Sequence, residues 1–146
     1  MCSMNRTVCA CERCKACCKI QPGPLAPGDL ERIAEFLGET PEQAKEHFMA
    51  SAGCVARLRD GRVVRIGSIT PKRKADGSCV FLDKDKRCMI HPVAPFGCAY
   101  FDVHMDKDEG LKRSGWLAMK QATDREYRRL RAELISQEVN KEGIKK

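Results

Sequence analysis

Aromatic residues and long apolar runs are scarce in this chain. One Trp, two Tyr and five Phe are spread over 146 residues, which is enough for one modest hydrophobic core. No apolar run approaches the length of about 18 residues that a membrane-spanning helix needs. The segment Met1–Cys9 lacks the apolar stretch of a secretory signal. We therefore expect no membrane partner and a cytoplasmic location, where reductants keep cysteines as thiols.

Sequence motifs of the common enzyme classes are also missing. The chain has no glycine-rich phosphate loop, no Gly-x-Ser-x-Gly and no carboxylate pair in a recognisable context. Three histidines leave few side chains for acid–base work. Any catalysis would have to come from a bound metal or a thiol, as in a component of an iron–sulfur oxidoreductase, and a non-catalytic role stays open.

Cysteine is the residue that the chain has in excess, with ten in all and four of them within residues 11–18. Two thiolates at the spacing Cys11-x2-Cys14 can reach the same ion from one short turn. Cys17 repeats that spacing and Cys18 follows directly. Adjacent cysteines are awkward to pair in disulfides, so this first cysteine group predicts metal binding in a reducing compartment.

A second cysteine group lies downstream, with eight residues between Cys79 and Cys88 and nine between Cys88 and Cys98. Zinc ribbons use two close cysteine pairs, whereas the ligands of an iron–sulfur cluster can be dispersed if they converge in space. We predict that the two groups converge on an iron–sulfur cluster, with a zinc-binding structural module as the alternative. The predicted metal ligands are Cys11, Cys14, Cys17, Cys18, Cys79, Cys88 and Cys98.

Other side chains are weaker candidates for metal ligands. His91 lies three residues after Cys88, a ligand spacing, although a loop histidine bonded to backbone is the ordinary alternative. Cys9 stays ambiguous, Cys54 resembles a small buried hydrophobe, and Cys2 has no assigned role.

Positive charge is concentrated between residues 55 and 75. This segment holds seven Arg and Lys and one carboxylate, so it carries +6 of the net charge of +7. Its alternation and the dipeptide Asp60-Gly61 predict a β-hairpin with a type I′ turn, and Arg57, Arg59 and Arg62 are expected on one exposed face. The segment has no aromatic residue for base stacking. We therefore interpret it as a solvated face or a docking face for an acidic redox partner protein rather than for nucleic acid.

The remaining pattern predicts a small α+β domain over residues 1–140, with a flexible tail at 141–146. After the cysteine-rich loop, apolar spacing predicts a helix from about Asp29 to Leu37, and the capping signals at 40–43 predict a second helix to about Ser51. We expect the hairpin over 55–69, a short strand at 79–82 and a long C-terminal helix from about Gly115.

Taken together, the cysteine motifs resemble one known family. The chain is similar from Cys11 to about Phe101 to the bacterial CxxCxxCC cysteine-cluster proteins, or YkgJ-like proteins, which are described as zinc- or iron-chelating; a related domain occurs in flagellin lysine methylases. The motifs are Cys11-x2-Cys14-x2-Cys17-Cys18, Gly77-x-Cys79-Val-Phe-Leu82, Cys88-x-Ile90 and Pro95-x2-Cys98, with Asp29 and Arg32 in the first helix.

Three positions depart from the family pattern. Family members typically have Tyr at the position of His91 and Arg at those of Ala94 and Ala99. The resemblance implies metal binding, and the two missing arginines imply less positive charge beside the cysteine sulfurs.

Overall fold

The computed structural model describes residues 23–58, 60–85, 87–100 and 105–145 as a mixed helical and β structure, which confirms the predicted α+β class. No helix among these residues is long and apolar enough to cross a membrane. Short 3-10 turns cover Lys45–His47 and His91–Val93. The helices are α1 (Asp29–Leu37), α2 (Pro41–Ala44), α3 (Phe96–Ala99), α4 (Lys107–Thr123) and α5 (Arg125–Lys145), and the strands are β1 (Phe48–Arg57) and β2 (Val63–Pro71).

Helix α2 starts as predicted and ends early. Thr40 forms a reciprocal capping box with Gln43, and Pro41 opens the helix. The prediction that this helix continues to about Ser51 is wrong, because β1 begins at Phe48 and pairs with β2. His47 therefore lies in a 3-10 turn, where its Nε2 is 2.9 Å from Glu39 Oε1.

Strands β1 and β2 form the predicted antiparallel hairpin, which is longer than expected. Its turn is not the two-residue type I′ turn. The N–H of Gly61 donates to the Leu58 carbonyl, and the N–H of Leu58 donates to the Arg62 carbonyl, so three residues separate the last bonded pair. Gly61 has a φ of 89°, the left-handed conformation that glycine favours at the end of such a loop.

A β-bulge interrupts the hairpin between Ser51 and Cys54. Gly53 has a φ of 111°, and a Cβ there would overlap the Ile66 carbonyl. The side chain of Arg131 in α5 covers the bulge, donating to the carbonyls of Ser51 at 2.9 Å and Ser68 at 3.0 Å. Backbone carbonyls at the bulge thus accept hydrogen bonds from a helix side chain, which helps to satisfy the buried polar groups in the irregular part of the sheet.

The C-terminal helical region differs from the single predicted helix. Helix α4 begins at Lys107, well before Gly115, because Asp106 caps it by accepting from the Glu109 N–H at 2.8 Å. The chain is extended at Asp124, whose carboxylate accepts from the Tyr127 N–H and starts α5. The apolar stripe continues across this break, which is why periodicity alone predicted one helix.

The predicted third strand at 79–82 is represented by isolated bridges rather than a continuous ladder. Cys79 bridges to Arg73, and Leu82 bridges to Cys88. Between them the N–H of Leu82 donates to the Cys79 carbonyl in a turn. This segment therefore folds back on itself and brings the first two downstream cysteines into one substructure.

A buried hydrogen-bond network joins α4, α5, β2 and the segment before α1. The hydroxyl of Tyr127 donates to the Leu25 carbonyl at 2.8 Å and accepts from the Ile69 N–H at 2.8 Å. The Gln121 amide donates to the same hydroxyl and to the same carbonyl, and its oxygen accepts from Ser68. Every described buried side-chain N or O atom has a hydrogen-bond partner, so this polar centre is satisfied within an apolar core.

We predict that Tyr127→Phe lowers the free energy of unfolding by about 1–3 kcal/mol, because it leaves the buried Ile69 N–H and Leu25 carbonyl short of a partner. Urea denaturation followed by circular dichroism measures the change. Tyr100→Phe is the matched control, since the Tyr100 hydroxyl forms no hydrogen bond with the described residues and surface-type changes cost within about 0.5 kcal/mol. Equal effects of the two variants would contradict the role of the network.

Candidate metal centre

Cys98 lies in α3 where two backbone segments cross closely. The N–H of Gly23 donates to Cys98 Sγ with 3.2 Å between N and S. The Gly97 N–H donates to the Pro24 carbonyl at 2.8 Å. A Cβ on Gly23 would overlap the backbone of Gly97, and a Cβ on Gly97 would overlap the Pro24 ring. Glycine at both positions allows the chain that follows the first cysteine group to reach the sulfur of Cys98.

The buried carboxylate of Asp29 stabilises the crossing of these two backbone segments. Asp29 Oδ2 accepts from the Ala26 N–H at 2.8 Å and from the Phe96 N–H at 2.9 Å. Asp29 Oδ1 is 2.8 Å from Arg32 Nη2, which also lies 3.5 Å from the Ala94 carbonyl. Burial raises the pKa of Asp29, whereas the two backbone N–H groups and Arg32 act in the opposite direction. The carboxylate therefore ties α1 to the loop that enters α3.

A second arginine reaches the other end of α3. Arg113 in α4 donates to the Tyr100 carbonyl at 2.7 Å, and its Nε is 2.8 Å from Glu109 Oε1. The side chain of Arg113 is only 12% exposed. The short helix that carries Cys98 is thus held by ion-paired arginines of α1 and α4 at its two ends.

Cys79 and Cys88 lie together at the edge of the larger core cluster. Cys79 is buried, and Cys88 packs against the same cluster. Burial raises the pKa of the Cys88 thiol, with smaller contributions in the same direction from Cys79 and Asp83. The backbone N–H of Ile90 acts in the opposite direction and lowers the pKa of the Cys88 thiol. A metal cation would reverse the effect of burial, because a coordinating thiol is deprotonated.

The structure places the predicted site residues in three ways. Cys79 belongs to the larger core cluster and Cys88 packs against it, whereas Cys98 lies on α3, whose Phe96 belongs to the other cluster. The sulfur of Cys98 accepts the Gly23 N–H. His91 is exposed, and its N–H donates to the Cys88 carbonyl. Cys9, Cys11, Cys14, Cys17 and Cys18 lie outside the described residues.

The downstream cysteines do not make a complete metal site by themselves. Within residues 23–58, 60–85, 87–100 and 105–145, no three Cys, His, Asp or Glu side chains are grouped closely enough to hold an ion. A structural zinc site takes four ligands and most iron–sulfur clusters also take four. The metal-ligand role of Cys79, Cys88 and Cys98 therefore stays a prediction that requires further ligands.

Sequence reasoning missed several residues that position Cys98. No role was predicted for Gly23 or Gly97, although glycine directly before Pro24 and directly before Cys98 was the available signal. Nothing in the sequence indicates that Arg113 contacts the Tyr100 carbonyl, because that contact depends on how α4 packs.

The fold is a small α+β domain in which the sulfur of Cys98 accepts a backbone N–H. A family model described as "CxxCxxCC: Putative zinc- or iron-chelating domain" matches residues 10–126, so the chain belongs to this family. The match includes both cysteine groups and extends into α5, beyond the end of the motif resemblance at about Phe101. No curated protein and no solved structure matches the chain. Membership supports binding of zinc or iron.

We predict that Gly97→Ala disrupts the crossing beside Cys98 and destabilises the protein by about 1–3 kcal/mol, because its Cβ would overlap Pro24. Gly110→Ala is the matched control. Gly110 lies in α4 with no atom within 4 Å of a new Cβ, so this change should stabilise by about 0.5–1 kcal/mol. Thermal melting of both variants measures the difference, and a Gly97→Ala protein as stable as wild type would show that the crossing is not tight.

Proposed function

We propose that this protein binds an iron–sulfur cluster through both cysteine groups and transfers electrons, alone or as a component of an oxidoreductase. The hydrogen bond from Gly23 to Cys98 Sγ carries this proposal. Cys18 precedes Gly23 by five residues, and five residues span at most about 18 Å even when fully extended. The first cysteine group is thus linked by a short stretch of chain to Gly23, which donates a hydrogen bond to the sulfur of Cys98 in the second group.

The donor set supports a metal bound by thiolates. Cys79, Cys88 and Cys98 are thiols, and the N–H of Gly23 donates to the sulfur of Cys98. Hydrogen bonds to cysteine sulfur are among the features that set the potential of iron–sulfur clusters. The residues that would hold the cluster are among Cys11, Cys14, Cys17, Cys18, Cys79, Cys88 and Cys98, and a bound cluster would supply one-electron chemistry.

The choice of iron–sulfur over zinc depends on the arrangement of cysteines. The downstream residues Cys79, Cys88 and Cys98 come from two bridges and a helix rather than from a paired knuckle. Structural zinc sites are usually built from two close pairs, so dispersed ligands favour a cluster. A zinc-stabilised interaction module is the second candidate, and the family description allows either metal. A cluster bound by cysteine thiolates would suit a reducing compartment such as the cytoplasm.

Anaerobic purification followed by metal and sulfide analysis tests this function. We expect a brown protein with iron and acid-labile sulfide in equal amounts, whose visible absorbance bleaches with dithionite. A colourless protein that contains stoichiometric zinc and no sulfide would replace the electron-transfer function with the structural module.

Cys98→Ser should reduce the bound iron and sulfide several-fold, because it removes the sulfur that joins the two groups. Cys2→Ser is the matched control, since the same exchange there lies outside the family motif and should leave both contents unchanged. Circular dichroism establishes that each variant is folded. Equal iron and sulfide in the two variants would exclude Cys98 from the ligand set.

A further inference from the structure

The outer face of the β-hairpin is exposed and positively charged. Because side chains alternate along a strand, Arg57 of β1 shares one face with its partner Val63 and with Arg65 of β2. Arg57 and Arg65 are exposed, and Val63 is 60% exposed. The apolar side chain of Val63 thus lies exposed to solvent between the two arginines. We call the surface formed by these three residues the hairpin face.

The arginines of the hairpin face have no carboxylate partner in the part of the chain that the structure describes. Asp60 is the sole carboxylate of residues 55–75, and it already pairs with Arg62 at 2.7 Å. Among the described residues, Arg65 forms one hydrogen bond, a 3.4 Å contact with the Gly53 carbonyl. The described part of the chain therefore leaves the charge of this face uncompensated, and such a face attracts an acidic surface.

The opposite face of the same hairpin packs toward the helix that carries Cys98. Ala56 belongs to one core cluster with Phe96 of α3 and Leu117 of α4, and Val64 packs against that cluster. Phe96 stacks on Trp116 with ring centroids 5.0 Å apart. A protein bound to the hairpin face would be separated from α3 by the sheet and one layer of packed side chains.

We propose that the hairpin face is the docking surface for a small acidic one-electron carrier protein. This inference rests on the proposed iron–sulfur function. In the transfer the reduced carrier loses one electron and the cluster of this protein gains it, with no bond or proton exchanged. Exposed arginines give long-range attraction, and Val63 offers apolar contact at the centre of the interface.

A protein partner fits this face better than nucleic acid does. Residues 55–75 contain no aromatic side chain on which a base could stack. The hairpin face offers a compact pair of charges around an apolar residue, whereas phosphate recognition uses many cations along a groove or stripe.

The test measures binding of the intact metal-loaded protein to two probes, oxidised plant-type [2Fe–2S] ferredoxin and a 20-base-pair DNA duplex, by fluorescence anisotropy at low and high salt. The hairpin variant is Arg57→Glu with Arg65→Glu. The matched control is Arg125→Glu with Arg128→Glu, which makes the same charge change at two exposed arginines of α5. Thermal midpoints establish that both variants are folded.

We expect ferredoxin binding that weakens as salt rises, because exposed charges are screened beyond a Debye length of about 10 Å at 0.1 M salt. The hairpin variant should bind at least about tenfold more weakly at low salt, and the α5 control should bind like wild type. Reduction by ferredoxin in stopped flow should slow in parallel. Equal ferredoxin affinity in all three proteins would overturn the proposal.

Three further outcomes are decisive. DNA binding that is tighter than ferredoxin binding and is lost in the hairpin variant would replace the carrier protein with nucleic acid. Zinc without sulfide, together with hairpin-dependent ferredoxin binding, would remove the electron-transfer function and leave the docking face. Iron and sulfide with hairpin-independent binding would keep the proposed function and remove the docking face.

Discussion

The segment from Gly23 to Ala26 is held by hydrogen bonds to five separate elements, and the architecture depends on it. Gly23 and Pro24 bond to Cys98 and Gly97 in α3, the N–H of Leu25 donates to β2, and its carbonyl accepts from α4 and α5. The Ala26 N–H donates to Asp29 of α1. A chain that enters the core this way has little freedom to shift without leaving buried polar groups unpaired. The same constraint fixes where the first cysteine group joins the domain.

Local signals in the sequence predicted the elements better than their boundaries. The capping box at Thr40, the left-handed Gly38 after α1 and the hairpin at Asp60-Gly61 all depend on neighbouring residues, so they could be predicted. The early end of α2 could not, because it is decided by a tertiary partner, β2. The break at Asp124 has a local signal, since the Asp124 carboxylate accepts from the Tyr127 N–H, but the apolar stripe that continues across it predicted one helix.

In the candidate site too, some features could be predicted from the sequence and others depend on tertiary contacts. Cysteine spacing identified Cys79, Cys88 and Cys98 as a group that needs further ligands; among the described residues no three possible ligands lie together, and the convergence of the two cysteine groups stays a prediction. The hydrogen bond to the sulfur of Cys98 comes from the backbone N–H of Gly23. Backbone donors leave no residue-type signal, so sequence patterns cannot show them.

The electrostatic setting of Cys98 also differs from the one that the sequence implied. Alanines at positions 94 and 99 suggested a loss of positive charge beside the sulfurs. In the structure, Arg32 reaches the Ala94 carbonyl and Arg113 reaches the Tyr100 carbonyl, so guanidinium groups from two other helices flank α3. Each is paired with a carboxylate, which reduces the field that it exerts on a thiolate. Ala94 itself is buried, so a longer charged side chain there would need a different packing of α1 against α3. The small side chain of Ala94 and the Arg32 side chain from α1 therefore belong to the same packing of α1 against α3.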